Sequence, residues 1–336
     1  MRKYGGQTMV GRLRRVVVCA PREAGWFDAV EHGRWRELGY LREPDAQRAQ
    51  EQHEALVREL KAAGAEVIRL EQQGLKPLKE EQEEAVYVAA KGATHKTTNG
   101  GANPPLDRKG AGKDAGGTRW SLDAVYVHDA SLMTDWGAIC LRMGKAQREG
   151  EPAAHAATYR SLGIPVLGEM TPPRLAEAGD MVWLDKRTLL VGRGYRTNAA
   201  GIEQLRSLLR PKGVEMIRAP LPHGGGPAVC LHLMSLMSLL DERTALVDPE
   251  WLAVETVEVL QEHRLRFIEI DASERATLAC NVVSLGDGRL LALEENAKTN
   301  ERLRAAGFDV RTFPGSELAI NGGGGPTCLT RPLLRE

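Results

Sequence analysis

Apolar positions along the chain recur in one local pattern that is found five times. Each copy is a helical stretch with helix-spaced apolar residues, which ends at a glycine or a basic turn and is followed at once by a short β-rich segment. Glycine is the residue expected where a helix ends in the left-handed conformation. The helical stretches and the strands predicted after them are 56–64 and 65–70, 159–163 and 164–167, 205–213 and 214–217, 257–264 and 265–270, and 303–307 and 308–311.

Four pairs of apolar segments lie between these copies and predict β-hairpins. The clearest turn is Gly286-Asp287-Gly288, because such residues accept the positive φ of tight hairpin turns. The predicted unit is therefore strand, hairpin and helix. From residue 163 onwards the helix ends recur about every 43 to 51 residues, and the first gap, from 64 to 163, is about twice that, a period typical of radial or stacked repeats. The four predicted hairpins are 131–134 with 138–143, 181–184 with 188–191, 232–240 with 244–247, and 282–285 with 289–293.

Residues 91–118 interrupt the repeat with a stretch that is rich in Gly, Ala, Lys and Asn and shows no periodicity. We interpret this insert as a disordered or loosely held surface loop. A phosphate-binding loop is the alternative, but Gly110-Ala111-Gly112-Lys113 lacks the full spacing of that motif and follows no predicted strand. Apart from the insert, residues 1–336 are expected to form one domain.

Charge and composition exclude several classes of protein. The 336 residues include 45 basic and 45 acidic side chains, so the formal net charge is zero, whereas nucleic-acid or acidic-membrane binding needs a basic excess. The apolar runs are too short to span a bilayer, and no apolar signal core follows the first methionine. Five scattered cysteines fit a reducing cytosol better than a disulfide framework. We expect a cytoplasmic protein that binds neither nucleic acid nor membrane.

Three short stretches and one nearby histidine contain the candidate chemistry. Cys328 follows four glycines, which allow close approach of the backbone and leave a thiol accessible. A cysteine nucleophile needs a base, for which His232 is a candidate, and carboxylates would bind a cationic substrate. Each signal alone also fits an ordinary loop, turn or packed histidine. The stretches are 123–129, 177–180 followed by 194–198, and 322–328.

Taken together, these motifs resemble the guanidino-group-modifying (pentein) superfamily, and within it most closely the dimethylargininases. The resemblance covers about residues 12–90 and 119–334, with the motifs in the family's order. It implies an α/β fold, a five-bladed propeller of ββαβ units around a central active site, which agrees with the five copies counted above.

The resemblance also implies a role for each matching residue. Cys328 would be the nucleophile, His232 the general acid and base, and Glu177 the carboxylate that orients the histidine. Asp129 would bind the guanidinium and Asp123 the α-amino group of the substrate. Further expected substrate contacts are Arg196 at the α-carboxylate and the backbone of the strand that contains Val18.

Those residue types suit hydrolysis of a guanidine. Carboxylates hold the planar cation, and the bound cation favours the thiolate of Cys328, which attacks the guanidinium carbon. His232 would protonate the leaving amine and later activate water, with a covalent thiouronium between the two steps. This chemistry needs no cofactor and no metal, and Cys230-Leu231-His232 lacks the further ligands of a zinc site.

Three positions differ between relatives. Arginine deiminases and amidinotransferases have an aspartate two residues after the histidine, where this chain has Met234, so room for an N-alkyl group is expected. His128 stands where dimethylargininases commonly have glutamate, and Glu149 where some members have a second carboxylate-binding arginine. Both positions are expected to affect substrate binding.

We therefore expect poor activity on asymmetric dimethylarginine and a preference for a guanidine whose far end is neutral or cationic. In the alternative, Arg148 turns inward, supplies the missing donor and keeps dimethylarginine as the substrate. Three other functions remain open: an amidinotransferase or deiminase-like enzyme, a non-catalytic propeller that acts as a binding module, and an α/β protein of another role. A homodimer is also possible on this resemblance.

Overall fold

The computed structural model describes residues 3–70, 120–227, 229 and 231–336. Within them the strands form five separate sheets of three strands each. The strands are β1 (Leu13–Val18), β2 (Glu66–Arg69), β3 (Ser131–Thr134), β4 (Gly137–Cys140), β5 (Val166–Glu169), β6 (Met181–Trp183), β7 (Thr188–Arg193), β8 (Glu215–Pro220), β9 (Met237–Asp241), β10 (Thr244–Val247), β11 (Arg266–Glu269), β12 (Val283–Gly286), β13 (Arg289–Leu293), β14 (Asp309–Phe313) and β15 (Arg331–Arg335).

All five sheets have the same internal order. An inner strand pairs antiparallel with a middle strand, and the middle strand pairs parallel with an outer strand. Inner strands are almost fully buried, whereas outer strands have exposed ends. The five sheets, which we call blades, have the strand orders β15-β1-β2, β3-β4-β5, β6-β7-β8, β9-β10-β11 and β12-β13-β14.

One blade is built from both ends of the chain. β15 pairs antiparallel with β1, so that Val17 lies opposite Arg331. This pairing fixes the segment just before β15, which contains Cys328, against the first blade.

Helices join the middle strand of each blade to its outer strand, as the repeat predicts. Leu56 and Leu60 lie one helical turn apart and are fully buried, which is the spacing expected for the core-facing side of a helix. The described helices are α1 (Ala29–Gly33), α2 (Trp35–Leu38), α3 (Ala46–Ala62), α4 (Glu151–Ser161), α5 (Ala199–Leu209), α6 (Val254–Glu262) and α7 (Ala297–Ala305), of which α3 to α7 are the five connecting helices.

The predicted left-handed helix ends are confirmed. Gly64, Gly163, Gly213 and Gly307 all have φ values between 70° and 97°. In the copy that lacks glycine, Arg264 takes the same conformation with φ of 57°, which disfavours a side chain with a Cβ atom.

The five-bladed α/β propeller is confirmed, with each blade a ββαβ unit. The predicted hairpins are also confirmed, with one correction: His232 does not lie in a strand, because residues Leu233–Ser235 form a single 3₁₀ turn before β9. The insert at 91–118 and Cys230 lie outside the described residues. Among the described residues, no helix is long and apolar enough to cross a membrane.

Candidate active site

Five polar residues occupy the same point of the repeat, just before the inner strand of each blade. The repeat thereby brings together residues that lie about 50 positions apart along the chain. Four of them were predicted and the fifth, Asn281, was not, although its place in the repeat would have indicated it. These entrance residues are Asp129 before β3, Glu177 before β6, His232 before β9, Asn281 before β12 and Cys328 before β15.

The imidazole of His232 lies between two carboxylates. Its Nε2 is 2.8 Å from Oε2 of Glu177, and its Nδ1 is 3.8 Å from Oδ1 of Asp129. All three side chains are buried. Two carboxylates around one imidazole orient the ring and favour its charged form, which is the form that protonates a leaving amine.

Glu177 is held as a carboxylate. Its Oε1 accepts hydrogen bonds from the backbone N–H of Gly144 at 2.7 Å and from Arg196 at 3.1 Å. Burial alone would raise the pKa of Glu177, but the hydrogen bond and charge of His232, together with Arg196, hold that pKa well below its usual range. Glu177 therefore contacts the imidazole through one oxygen and Arg196, which was expected at the substrate α-carboxylate, through the other.

Asp129 is ionised for a similar reason. Burial raises its pKa, but the charges of His232 and Arg148 lower it by more, so the net pKa lies below the usual value. Its Oδ1 also accepts a hydrogen bond from the backbone of Gly179 at 3.2 Å. A buried ionised carboxylate of this kind can face a guanidinium group.

Gly179 allows the close approach of these groups. A Cβ atom at this position would lie 2.4 Å from Nδ1 of His232 and 2.9 Å from Oδ1 of Asp129. The next residue, Asp180, accepts a hydrogen bond from the backbone of Leu233 at 3.0 Å and ties the two entrances together. In the Glu-Ala-Gly-Asp motif, the glycine therefore allows close packing and the aspartate positions the neighbouring turn, in addition to the charge of the glutamate.

Cys328 differs from the other described cysteines. Its thiol is partly exposed, whereas Cys19, Cys140 and Cys280 are buried. Burial raises the pKa of all three of those thiols, that of Cys140 to about 12. The amide of Asn281 donates a hydrogen bond to Sγ of Cys328 at 3.4 Å, and such a donor stabilises a thiolate.

The glycines before Cys328 are required by close packing. A Cβ atom on Gly322 would lie 2.0 Å from the hydroxyl of Tyr126, and one on Gly324 would lie 2.4 Å from the ring of Tyr126. At Gly325 the Cβ atom would lie 2.7 Å from Asn281. The prediction that these glycines admit a close neighbour is correct, and the neighbours are side chains of the protein itself.

Arg148 reaches the carboxylate that was predicted to bind the guanidinium. Its Nη1 donates to Oδ2 of Asp129 at 2.9 Å, and Nη2 donates to the carbonyl of Tyr126 at 2.8 Å. Nε and Nη2 bind both oxygens of Glu151 at 2.9 and 2.8 Å. Arg148 has therefore turned inward, as in the alternative above, but here its guanidinium is bound by carboxylates.

Asp123 has a comparable cationic partner. Nζ of Lys145 lies 2.7 Å from Oδ2 of Asp123 and donates a second hydrogen bond, of 2.8 Å, to the carbonyl of Leu38. The other oxygen, Oδ1, is buried without a hydrogen-bond partner among the described residues. Asp123 therefore keeps one acceptor that an ammonium group could use.

Three residues that were predicted to contact the substrate have partners within the protein. The carbonyl of Val18 accepts a hydrogen bond from Leu70, and its side chain lies in the core. Glu149 pairs with Arg142 at 3.0 Å. The ring of His128 binds the carbonyl of Thr330 at 2.8 Å, and burial lowers its pKa to about 3.

Met234 is buried in a hydrophobic cluster with Leu233 and Met237 and lies in the 3₁₀ turn that follows His232. The expected room for an N-alkyl group stays a prediction.

In the part of the chain that the structure describes, one group of residues could hold a metal ion. Asp129, Glu177 and His232 each offer one ligand atom, and these atoms lie within 4.8 Å of one another. The same atoms are engaged with each other and with Arg148 and Arg196, so the arrangement fits an organic cation as well as a metal.

Comparison with known proteins agrees with this geometry. The family model for arginine deiminase matches residues 122–260 and 252–335, which include all five entrance residues. The chain belongs to the arginine deiminase family. It is thereby a pentein, as the motifs indicated, and members of this superfamily act on guanidino groups.

Curated relatives of this pentein include two named enzymes. It is 30% identical over 187 residues to N(G),N(G)-dimethylarginine dimethylaminohydrolase of Streptomyces coelicolor. The matched region covers 56% of this chain and 66% of the relative. It is 25% identical over 256 residues to an arginine deiminase of Listeria monocytogenes. This matched region covers 63% of this chain and 61% of the relative. The chain thus spans about two thirds or less of the length of both enzymes.

Solved structures support the fold over nearly the whole pentein chain. The dimethylarginine dimethylaminohydrolase of Pseudomonas aeruginosa, complexed with citrulline, matches with a TM-score of 0.64 at 21% identity and covers 95% of this chain and 99% of its own. The amidinotransferase SxtG of Microseira wollei matches with a TM-score of 0.69 at 17% identity and covers 100% and 98%. At such identities the likeness concerns the propeller alone.

Proposed function

We propose that this pentein is a cysteine hydrolase that acts on a substituted guanidine and releases an amine and a ureido product. The observation that supports this most is the placement of Cys328, His232, Glu177 and Asp129 at equivalent entrances of four blades. The buried carboxylates match a cationic substrate, and the partly exposed thiol matches a nucleophile.

In the proposed reaction, the thiolate of Cys328 attacks the guanidinium carbon and forms a tetrahedral adduct. The C–N bond to the substituted nitrogen then breaks, and the leaving amine takes a proton from His232. The substrate remains as an S-alkylthiouronium on Cys328. Neutral His232 accepts a proton from water, the resulting hydroxide adds to the same carbon, and the C–S bond breaks to return the thiolate.

Each neighbouring side chain has a defined task in this scheme. Glu177 holds the imidazole through its 2.8 Å contact and favours the charged ring. Asn281 donates to Sγ and stabilises the departing thiolate. Asp129 binds N–H groups of the substrate guanidinium after Arg148 has released it, and the free oxygen of Asp123 accepts from a substrate amine.

A panel of guanidines tests the proposal. The protein is incubated with N-methylated arginines, arginine, agmatine and simple alkylguanidines, each with and without an added amine acceptor. Mass spectrometry then separates ureido product, amidino transfer to the acceptor, and unchanged substrate. Ureido product independent of the acceptor supports the hydrolase, transfer would identify an amidinotransferase, and no reaction across the panel would contradict the proposal.

Peptide mapping after an acid quench provides an internal control. The mass increase of the thiouronium is expected on the peptide that contains Cys328. The peptides with Cys19, Cys140 and Cys280 should stay unmodified, because those thiols are buried and their pKa values are raised.

A further inference from the structure

Two arginines of β15 bury their charge in the centre of the propeller. Arg331 and Arg335 are only 6% and 8% exposed, and their spacing of four residues places them on the same face of the strand. No carboxylate among the described residues forms an ion pair with either of them. Buried charges are normally paired, so this arrangement lacks its expected counter-charge.

Backbone carbonyls accept hydrogen bonds from each guanidinium. Nη1 of Arg331 donates to the carbonyls of His128 and Ser131, and Nη1 of Arg335 donates to the carbonyls of Gly11 and Ser284. Nε of Arg331 is buried without a hydrogen-bond partner among the described residues. Carbonyl dipoles orient the two side chains but leave their net positive charge in place.

Both guanidinium groups line one cavity, which we call the central cavity. Residues of all five inner strands surround it, and its volume is about 30 Å³. A site needs roughly 10–15 Å³ to hold one water molecule, so a monatomic ion fits. Cys328, Glu177 and Asp129 are not among the lining residues.

The electrostatics of the central cavity favour an anion. Burial lowers the pKa of Arg331 to about 10 and that of Arg335 to about 9, and the charge of Arg331 lowers the latter further. Asp129 and Tyr159 act on Arg331 in the opposite direction. His128 adds no charge, because burial keeps its ring neutral, and its Nε2 lies 3.4 Å from Nη2 of Arg331.

We propose that the central cavity binds one small monovalent anion, of which chloride is the representative, beside Arg331 and Arg335. The cavity is too small for a polyatomic metabolite, and two guanidinium groups exclude a cation. The site is distinct from the proposed active site and is expected to stabilise the fold, since a ligand that binds only the folded state raises its stability.

The test compares chloride with gluconate, an anion too large for the cavity, at constant ionic strength. For the full chain we expect the Tm to rise with chloride and to saturate, by roughly 2 to 6 °C in total. A crystal grown in sodium bromide should show an anomalous peak beside Arg331 and Arg335. Equal Tm values in both salts together with no bromide peak would overturn the proposal.

Two variants assign the effect to this site. Arg335→Met removes one charge at similar volume, and the dependence of Tm on chloride should disappear. His128→Glu places a carboxylate next to Arg331, so that the protein supplies its own anion and again loses the dependence. Arg160→Met, which removes one side of an exposed ion pair with Glu169, is the control and should keep it. A chloride effect that persists in both central variants would contradict the site, and the bromide experiment on the unmodified protein decides the matter if they do not fold.

Discussion

Arg148 competes with the substrate in our interpretation, and this competition can be measured. Its guanidinium donates to the Asp129 oxygen that we assign to the substrate, with Glu151 as its second carboxylate partner. A hydrogen bond between charged groups contributes about 1.5 to 3 kcal/mol. The substrate must first displace Arg148 from Asp129. The free energy lost with this contact should therefore make substrate binding weaker by roughly ten- to hundredfold than it would be without Arg148.

The perturbation must remove both members of the buried pair. Arg148→Met alone would leave Glu151 buried without its cation, which costs about 3 to 5 kcal/mol of stability. The double variant Arg148→Met/Glu151→Leu keeps volume and charge balance and leaves Asp129 to the substrate. The matched control is Arg160→Met/Glu169→Leu, which removes an exposed pair.

The assay is calorimetric binding of N-ethylguanidinium in a Cys328→Ser background, so that no turnover occurs. This probe has no carboxylate, and Arg148 cannot contribute to its binding in any other way. We expect the Kd to fall by about tenfold to a hundredfold in the double variant and to stay unchanged in the control. An unchanged or higher Kd in the double variant would refute the competition.

The same variants distinguish the two expectations for dimethylarginine. If Arg148 turns from Asp129 to the α-carboxylate when substrate binds, the double variant loses affinity for dimethylarginine while it gains affinity for N-ethylguanidinium. If both ligands gain affinity equally, Arg148 has no role at the carboxylate, and the preference for a neutral or cationic far end stands.

Four further predictions follow from single residues. Cys328→Ser should abolish turnover with an unchanged thermal transition, and activity within about tenfold of the unmodified protein would contradict the nucleophile. Arg264→Gly should raise the free energy of unfolding by up to about 1 kcal/mol in urea titrations, because φ is 57° there, and a loss of stability would contradict this. Burial lowers the pKa of His155 to about 3, so only the unfolded ring takes up a proton below about pH 6.5; the contribution of this residue to stability should fall by about 2 kcal/mol between pH 8 and pH 5, and the total fall should be smaller by that amount in His155→Gln. Burial raises the pKa of Glu151 to about 7 despite the charge of Arg148. A substrate guanidinium that displaces Arg148 from Asp129 towards Glu151 should therefore release protons from Glu151 near pH 7. Calorimetry in two buffers measures this proton release, which should be absent in Glu151→Gln.

The repeat could be predicted from the sequence because each blade has a complete local signal. Helix-spaced apolar residues, left-handed glycines and a hairpin depend on neighbours within a few positions, and the structure confirms them at 64, 163, 213 and 307. The family motifs then identified the four entrances at Asp129, Glu177, His232 and Cys328. These four residues lie close together because each one precedes the inner strand of its blade, and no single motif would have indicated this.

The direction of individual side chains could not be predicted in this way. Arg148 and Glu149 are adjacent, but Arg148 pairs with the buried carboxylates of Asp129 and Glu151, whereas Glu149 pairs with Arg142. His128 was assigned to the substrate because dimethylargininases commonly have glutamate there, but it lies in the turn before β3 and its side chain is buried. Its ring therefore contacts Thr330 and Arg331 in the centre of the propeller.

Buried charges of opposite sign lie at the entrances and along the inner strands of the propeller. At the entrances, carboxylates such as Asp129 and Glu177 are ionised because cations surround them, and a substrate guanidinium is one more cation of that kind. Further along the chain, Arg331 and Arg335 of β15 carry positive charge and line the central cavity. The same five blades thus provide carboxylates that can bind a substrate cation at their entrances and two arginines that would bind an anion in the central cavity.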